Sequence, residues 1–193
     1  MKENKTDARV IKTKQRIEAT FLRILAEMPF EKLTTTLLIK ECLISKGTFY
    51  AHYLDKYDLA EQLIDRELQL FETLLTQRFE NKQTNLEQLS QMVAKAFQES
   101  TVFSLYEKIR LPNRQPFELE LRAIYPKTYL RQLQQMGYQG NANLQALLFS
   151  SVAMAYISYI RQGHDSLTLT ELGQELDRFS HTLLQSFSTN TRQ

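Results

Sequence analysis

The chain has 193 residues, enough for one domain or for a small domain joined to a larger one. Its 42% hydrophobic and 24% charged residues are those of a soluble globular protein, and five Gly and four Pro leave little material for turns, so a helical fold is expected. The one cysteine, Cys42, cannot form an internal disulfide and no apolar stretch follows the basic start, which argues against secretion and makes the cytoplasm the expected compartment.

The formal net charge of +2 is unevenly spread: residues 1–56 hold 11 Lys or Arg against 7 Asp or Glu, and the remainder holds 13 against 15. Six cations (Lys2, Lys5, Arg9, Lys12, Lys14 and Arg16) precede residue 17, against Glu3 and Asp7. Such a run suits either a basic arm that meets polyanions or a solubilising tail.

From Thr13, the apolar positions Ile17, Phe21, Ile24, Leu25 and Met28 predict a first helix that stops at Pro29. Thr34 can cap a short second helix over Thr35 to Cys42, and Ser45 a third over Lys46 to Tyr53. Asp55 reads as the cap of a long fourth helix that runs towards Asn81, with Asp58 in its first turn. Thr84 and Glu87 form a capping-box pair for a helix with Leu86, Leu89, Val93, Ala96 and Phe97 on one face. A short helical piece over Ser104 to Arg110 precedes the proline-bounded loop "LPNRQP".

Helical pattern resumes from Phe117 to Met136, with a break or kink expected at Pro126, and "GYQGN" ends it. Residues 144–160 are apolar nearly all round. They are too few and too serine-rich for a membrane span, so a buried helix is expected. A second capping box, Thr168 to Glu171, opens a last helix with a stripe of Leu169, Leu172, Leu176, Phe179, Leu183 and Phe187. Two adjacent apolar helices suit self-association, with Leu147, Met154, Leu172, Leu176, Phe179 and Leu183 in the interface.

Two short helices joined by "LIS" read as a helix-turn-helix, whose second helix enters the major groove of DNA. Lys46 can reach guanine acceptors, Gly47 permits close approach, and Thr48 can meet a base edge. Tyr50 and His52 can donate to flanking phosphates, Lys56 can grip one from the start of the next helix, and Phe49 and Tyr53 pack inward. The stretch "ISKGTFYAHYLDKYDL" resembles the N-terminal signature of the tetracycline-repressor (TetR) family of bacterial transcriptional regulators, in Phe30, Thr34, Ile44, Ser45, Lys46, Gly47, Thr48, Phe49, Tyr50, His52, Tyr53, Lys56 and Leu59. The resemblance covers about residues 10–65. The chain departs from the pattern where Cys42 and Leu43 replace a small residue and a Gly, and where Ile39 replaces Ala; a non-Gly residue at positive φ strains the turn.

The resemblance implies an all-α protein: an N-terminal three-helix DNA-binding domain over residues 1–56, and a helical effector-binding and dimerisation domain over 57–193. It also implies a ligand-responsive regulator, a repressor, that binds a palindromic operator on double-stranded DNA as a homodimer. The candidate DNA-binding residues are Thr34, Thr35, Ser45, Lys46, Gly47, Thr48, Tyr50, Ala51, His52 and Lys56. A small-molecule effector would lie among Phe97, Phe103, Tyr106, Phe117, Tyr125, Tyr129, Phe149 and Met154, with Met136 nearby. The competing reading is a helical co-activator or adaptor that keeps the fold and acts through protein contacts. No phosphate-cradling glycine loop, H-E-x-x-H or G-x-S-x-G sequence occurs, and His52, His164 and His181 lie far apart, so neither an enzyme nor a metal or cofactor is expected.

Overall fold

The computed structural model describes residues 3–80 and 105–189, and within them every regular element is a helix. These are α1 (Glu3–Glu27), α2 (Thr35–Glu41), α3 (Lys46–Tyr50), α4 (Lys56–Glu80), α5 (Phe117–Gln135), α6 (Ala142–Arg161) and α7 (Leu169–Thr189). The expected helix over Leu86 to Phe97 lies outside the described residues.

The caps fall where the hydroxyl and carboxylate spacing puts them. Thr34 Oγ1 accepts from Leu37 N at 3.1 Å, and Ser45 Oγ accepts from Thr48 N at 3.0 Å. Asp55 Oδ1 accepts from the amides of Tyr57 and Asp58, while Asp58 Oδ2 reaches back to Leu54 N at 2.7 Å. Thr168 and Glu171 close the reciprocal box, with Thr168 N donating to Glu171 and Glu171 N to Thr168 Oγ1. The Thr168 amide and hydroxyl, both donating to Glu171 Oε2 at 2.8 Å, hold its carboxyl below its ordinary value.

Three expectations are corrected. Helix α1 starts ten residues before Thr13, so the basic segment is helical from Glu3 onwards and is no disordered tail there. Of the break or kink expected at Pro126, the break does not occur, since α5 continues through it. Helix α6 is not buried all round. Ala146, Ser150, Ile157 and Ile160 turn inward against α5, whereas Leu144, Leu147, Leu148 and Tyr159 are exposed. Its length and mean hydropathy of 1.3 would suffice for a membrane span, but one face is occupied by packing within the chain.

One buried cluster joins the N-terminal helices to the rest. Ile17, Phe21 and Ile24 of α1 meet Leu38 and Ile39 of α2, Phe49 of α3, and Leu59, Leu63 and Phe71 of α4, and the cluster continues through Tyr106, Phe117 and Tyr125. The division expected at 56/57 would cut α4 after its first residue, and the buried cluster runs across it. Arg114 ties the preceding loop to both helices, pairing with Asp65 at 2.7 Å and with both Glu120 oxygens.

Candidate nucleic-acid interface

A five-residue helix has no independent stability, so α3 is held in place from outside. Phe49 and Tyr53 do this from one side, both buried, with ring centroids 5.9 Å apart. The Tyr53 hydroxyl donates to Glu18 Oε1 at 2.9 Å, and the same carboxylate accepts both Arg66 guanidinium nitrogens at 2.9 Å. Burial and this bond push the Tyr53 phenol far above its ordinary value, so it remains a donor. One acid on α1 thus fixes the end of the α3 segment and the second turn-pair of α4.

At about 100° per residue, Gly47 and Ala51 fall opposite the buried Phe49, at the centre of the exposed arc. Lys46 and Tyr50 form one rim of that arc, and Ser45, Thr48 and His52 the other. A helix whose outermost residues are small can seat deeply in a groove while longer side chains reach outwards on both sides. A Cβ at Gly47 would meet only Ser45 Oγ, at 3.8 Å, so the fold itself does not require glycine there. The Ser45 and Thr48 hydroxyls share one hydrogen bond of 2.8 Å, which leaves one of their two protons to donate elsewhere.

Thr34 is exposed at its cap, and Thr35 Oγ1 accepts from Lys56 N at 3.2 Å. Lys56 itself departs from expectation. Only 7% exposed, its ammonium donates to the carbonyls of Phe30 at 2.8 Å and Leu33 at 2.6 Å, with Glu31 O at 3.4 Å, and it lies 4.5 Å from the Phe30 ring centroid. The side chain turns inward because the α1–α2 corner presents carbonyls that no helix pairs. It holds that corner instead of reaching a phosphate.

The turn between α2 and α3 is a Schellman motif: Leu43 N donates to Lys40 O at 3.1 Å and Ile44 N to Ile39 O at 3.5 Å. Its left-handed position is Leu43, with φ 53° and 86% exposed. The corresponding positions after α5 and α6 are Gly137 and Gly163. Cys42, beside it, is buried, and burial pushes its thiol up.

Sequence reasoning grouped the basic residues before Ile17 as an arm or tail and did not place them beside α3. Arg9, Lys12 and Arg16 of α1 line an open groove whose other wall is Leu43, Ser45, Thr48, Ala51 and His52. Their spacing of three and four residues was the available signal, and it needed α1 to be helical from Glu3.

The residues named for an effector divide. Tyr106 and Phe117 meet edge to face at 5.4 Å, Tyr125 and Phe149 lie 6.1 Å apart, and Tyr129 stacks on Phe149 at 4.2 Å. Between Tyr125 and Tyr129, the buried Thr128 Oγ1 has no hydrogen-bond partner. Met154 packs on the core from the α5–α6 groove, Met136 is exposed at the end of α5, and Phe97 and Phe103 lie outside the described residues. Among the described residues, no group of three or more His, Cys, Asp or Glu could hold a metal.

Comparison with known proteins places this geometry. A structure described as a TetR-family transcriptional regulator from Syntrophomonas wolfei str. Goettingen superposes with a TM-score of 0.59, covering 89% of this chain and 94% of the other at 14% identity. The fold is that of TetR-family regulators. Two further structures with this TetR-like fold are a gamma-butyrolactone receptor (ArpA-like protein), with TM-score 0.54, 17% identity and coverage of 92% and 99%, and the TetR-family regulator HI0893 from Haemophilus influenzae RD, with TM-score 0.54, 18% identity and coverage of 87% and 94%. No family model matches the sequence. Over 66 residues, 34% of the chain, it is 33% identical to YxbF, an uncharacterised HTH-type transcriptional regulator of Bacillus subtilis (strain 168), and this stretch covers 17% of that relative's length.

Two substitutions test the TetR-like site as a folded object. Leu43→Gly relieves a left-handed penalty of about 1–2 kcal/mol and adds about 0.5–1 kcal/mol of backbone entropy cost, so thermal unfolding should shift upwards by a few degrees at most. A fall in Tm would show that the turn is unstrained. Lys56→Met removes the donor of the buried Leu33 carbonyl and one of the two donors of Phe30 O, and should destabilise the chain by about 1–3 kcal/mol in denaturant titration, whereas a solvent-facing lysine would change it by less than about 0.5 kcal/mol.

Proposed function

We propose that the chain is a ligand-responsive DNA-binding transcriptional regulator that represses by binding a palindromic operator as a homodimer. The observation that carries this reading is the exposed arc of α3, with Gly47 and Ala51 at its centre and Lys46, Tyr50, Thr48 and His52 on its rims. Lys46 and Thr48 read base edges, and Tyr50, His52 and Thr34 steady the backbone. Lys56 contributes by holding the α1–α2 corner, and Thr35 by holding the start of α4.

Homodimer formation is supported by the exposed apolar faces of α6 and α7. Leu147, Leu148 and Leu176 are exposed, Phe179 is 63% exposed, and every side chain from Gln174 to Gln185 is exposed. A two-fold pair presents its recognition helices about one DNA turn apart, roughly 34 Å, which matches an inverted repeat. The Tyr129–Phe149 stack supports an aromatic or apolar effector, and the buried Thr128 hydroxyl, one residue before Tyr129 and without a hydrogen-bond partner, offers one polar group. The gamma-butyrolactone receptor shares the fold, which makes small-molecule response a natural extension to this chain.

The adaptor reading draws on two exposed leucines that flank α3, Leu43 and Leu54, the second 79% exposed. Protein contacts through them would leave DNA affinity weak and insensitive to base sequence.

Selection of duplexes from a random-sequence pool, followed by titration, tests the reading. The wild-type chain should enrich an inverted repeat, and Lys46→Ala should weaken that duplex by about 1–3 kcal/mol while relaxing preference at one symmetric base position. Gly47→Ala should raise thermal stability by up to about 1 kcal/mol and weaken DNA binding, because helix propensity favours alanine where groove depth favours glycine. Equal binding by wild type and both variants would overturn the assignment. Phe179→Glu should convert the dimer to monomer in light scattering at micromolar concentration; a wild-type monomer would refute the two-fold arrangement.

A further inference from the structure

We propose that the groove between α1 and α3 seats one sugar–phosphate strand of the same duplex, with Arg9, Lys12 and Arg16 as a cationic rail along it. This rests on the DNA-binding reading above and extends the contact surface to a helix outside the helix-turn-helix.

The groove has a volume of about 910 Å³ and is open to solvent. Its lining includes three cations and no Asp or Glu. All three cationic side chains are exposed, and none is needed to hold the fold, so their charge is available to a ligand. Spacings of three and four residues place them on one face of α1, one above the other. From Arg9 to Arg16 the helix rises about 10 Å, close to three steps of one DNA strand at about 3.4 Å each.

The opposite wall decides the occupant. It is formed by Leu43, Ile44, Ser45, Thr48, Ala51 and His52, and the last four are one rim and part of the centre of the arc proposed to face the bases. A strand bordering the major groove in which α3 sits must pass along that rim. The rail is therefore continuous with the base-reading surface, and its charge is complementary to the strand that borders it. Thr13, between the cations, keeps its hydroxyl on Arg9 O at 2.9 Å, so the contact is ionic and carries no base preference.

The test uses the full chain with Arg9→Gln, Lys12→Gln and Arg16→Gln combined, since glutamine keeps helix propensity and removes charge. A control carries Lys108→Gln and Lys127→Gln, two cations remote from the groove. Binding to the duplex enriched by the wild-type chain, and to a scrambled duplex, is titrated over a range of salt concentrations. The triple variant should lower the slope of log K against log salt by roughly 0.9 for each cation removed per bound copy, equally on both duplexes, while the control keeps the wild-type slope. If the triple variant binds with the wild-type slope, the rail is not a phosphate contact and the groove belongs to another occupant, such as an acidic protein segment; base reading by α3 would stand. A drop in slope equal to the control's would also overturn the rail, because it would mark a general charge effect. If the wild-type chain binds neither duplex, the DNA-binding reading and the rail fall together.

Discussion

The ammonium of Lys56, withdrawn from water onto the carbonyls of Phe30 and Leu33, is the interaction on which the N-terminal part depends. A charge buried in this way is tolerated only where its donors are matched, and the corner between α1 and α2 supplies the acceptors. Because the same residue opens α4, a single side chain fixes the corner to the start of the longest connection between the two parts of the molecule. The rings of Phe30 and Tyr57, 4.5 and 4.9 Å from the nitrogen, add favourable faces to the site.

A second polar link runs parallel to it. Glu18 receives Tyr53 from the end of the α3 segment and Arg66 from α4, so any displacement of α4 is felt at the C-terminal end of that segment. The two links differ in kind. Lys56 is enclosed, whereas Arg66 is half exposed and its pairing is correspondingly open to solvent and salt. The enclosed link sets position, and the open one weakens as salt rises.

Much of this was legible in the sequence, for reasons that can be named. Hydroxyl and carboxylate caps at Thr34, Ser45, Asp55 and Thr168 act within three residues, and local chemistry of that kind is written in the spacing. The inward turn of Phe49 and Tyr53 follows from their four-residue interval. Lys56 was misread because its acceptors lie 23 to 26 positions earlier, in a loop whose carbonyl directions no periodicity reports. The early start of α1 was hidden by a segment rich in cations and poor in apolar residues, where helical pattern is faint. For α6, an apolar composition all round looked like burial, when half of it marks a surface. Leu43 is the reverse case: the absence of glycine was visible, and the left-handed backbone at φ 53° adopts it regardless.

The exposure of α7 bears on how such a chain would persist in a cell. A helix whose side chains from Gln174 to Gln185 are all exposed draws its order from whatever covers it, so newly made single copies would be the form most open to proteases and to mistaken association. Where a second copy supplies that cover, dilution alone loosens the last helix, and the lifetime of the protein becomes a function of its own abundance.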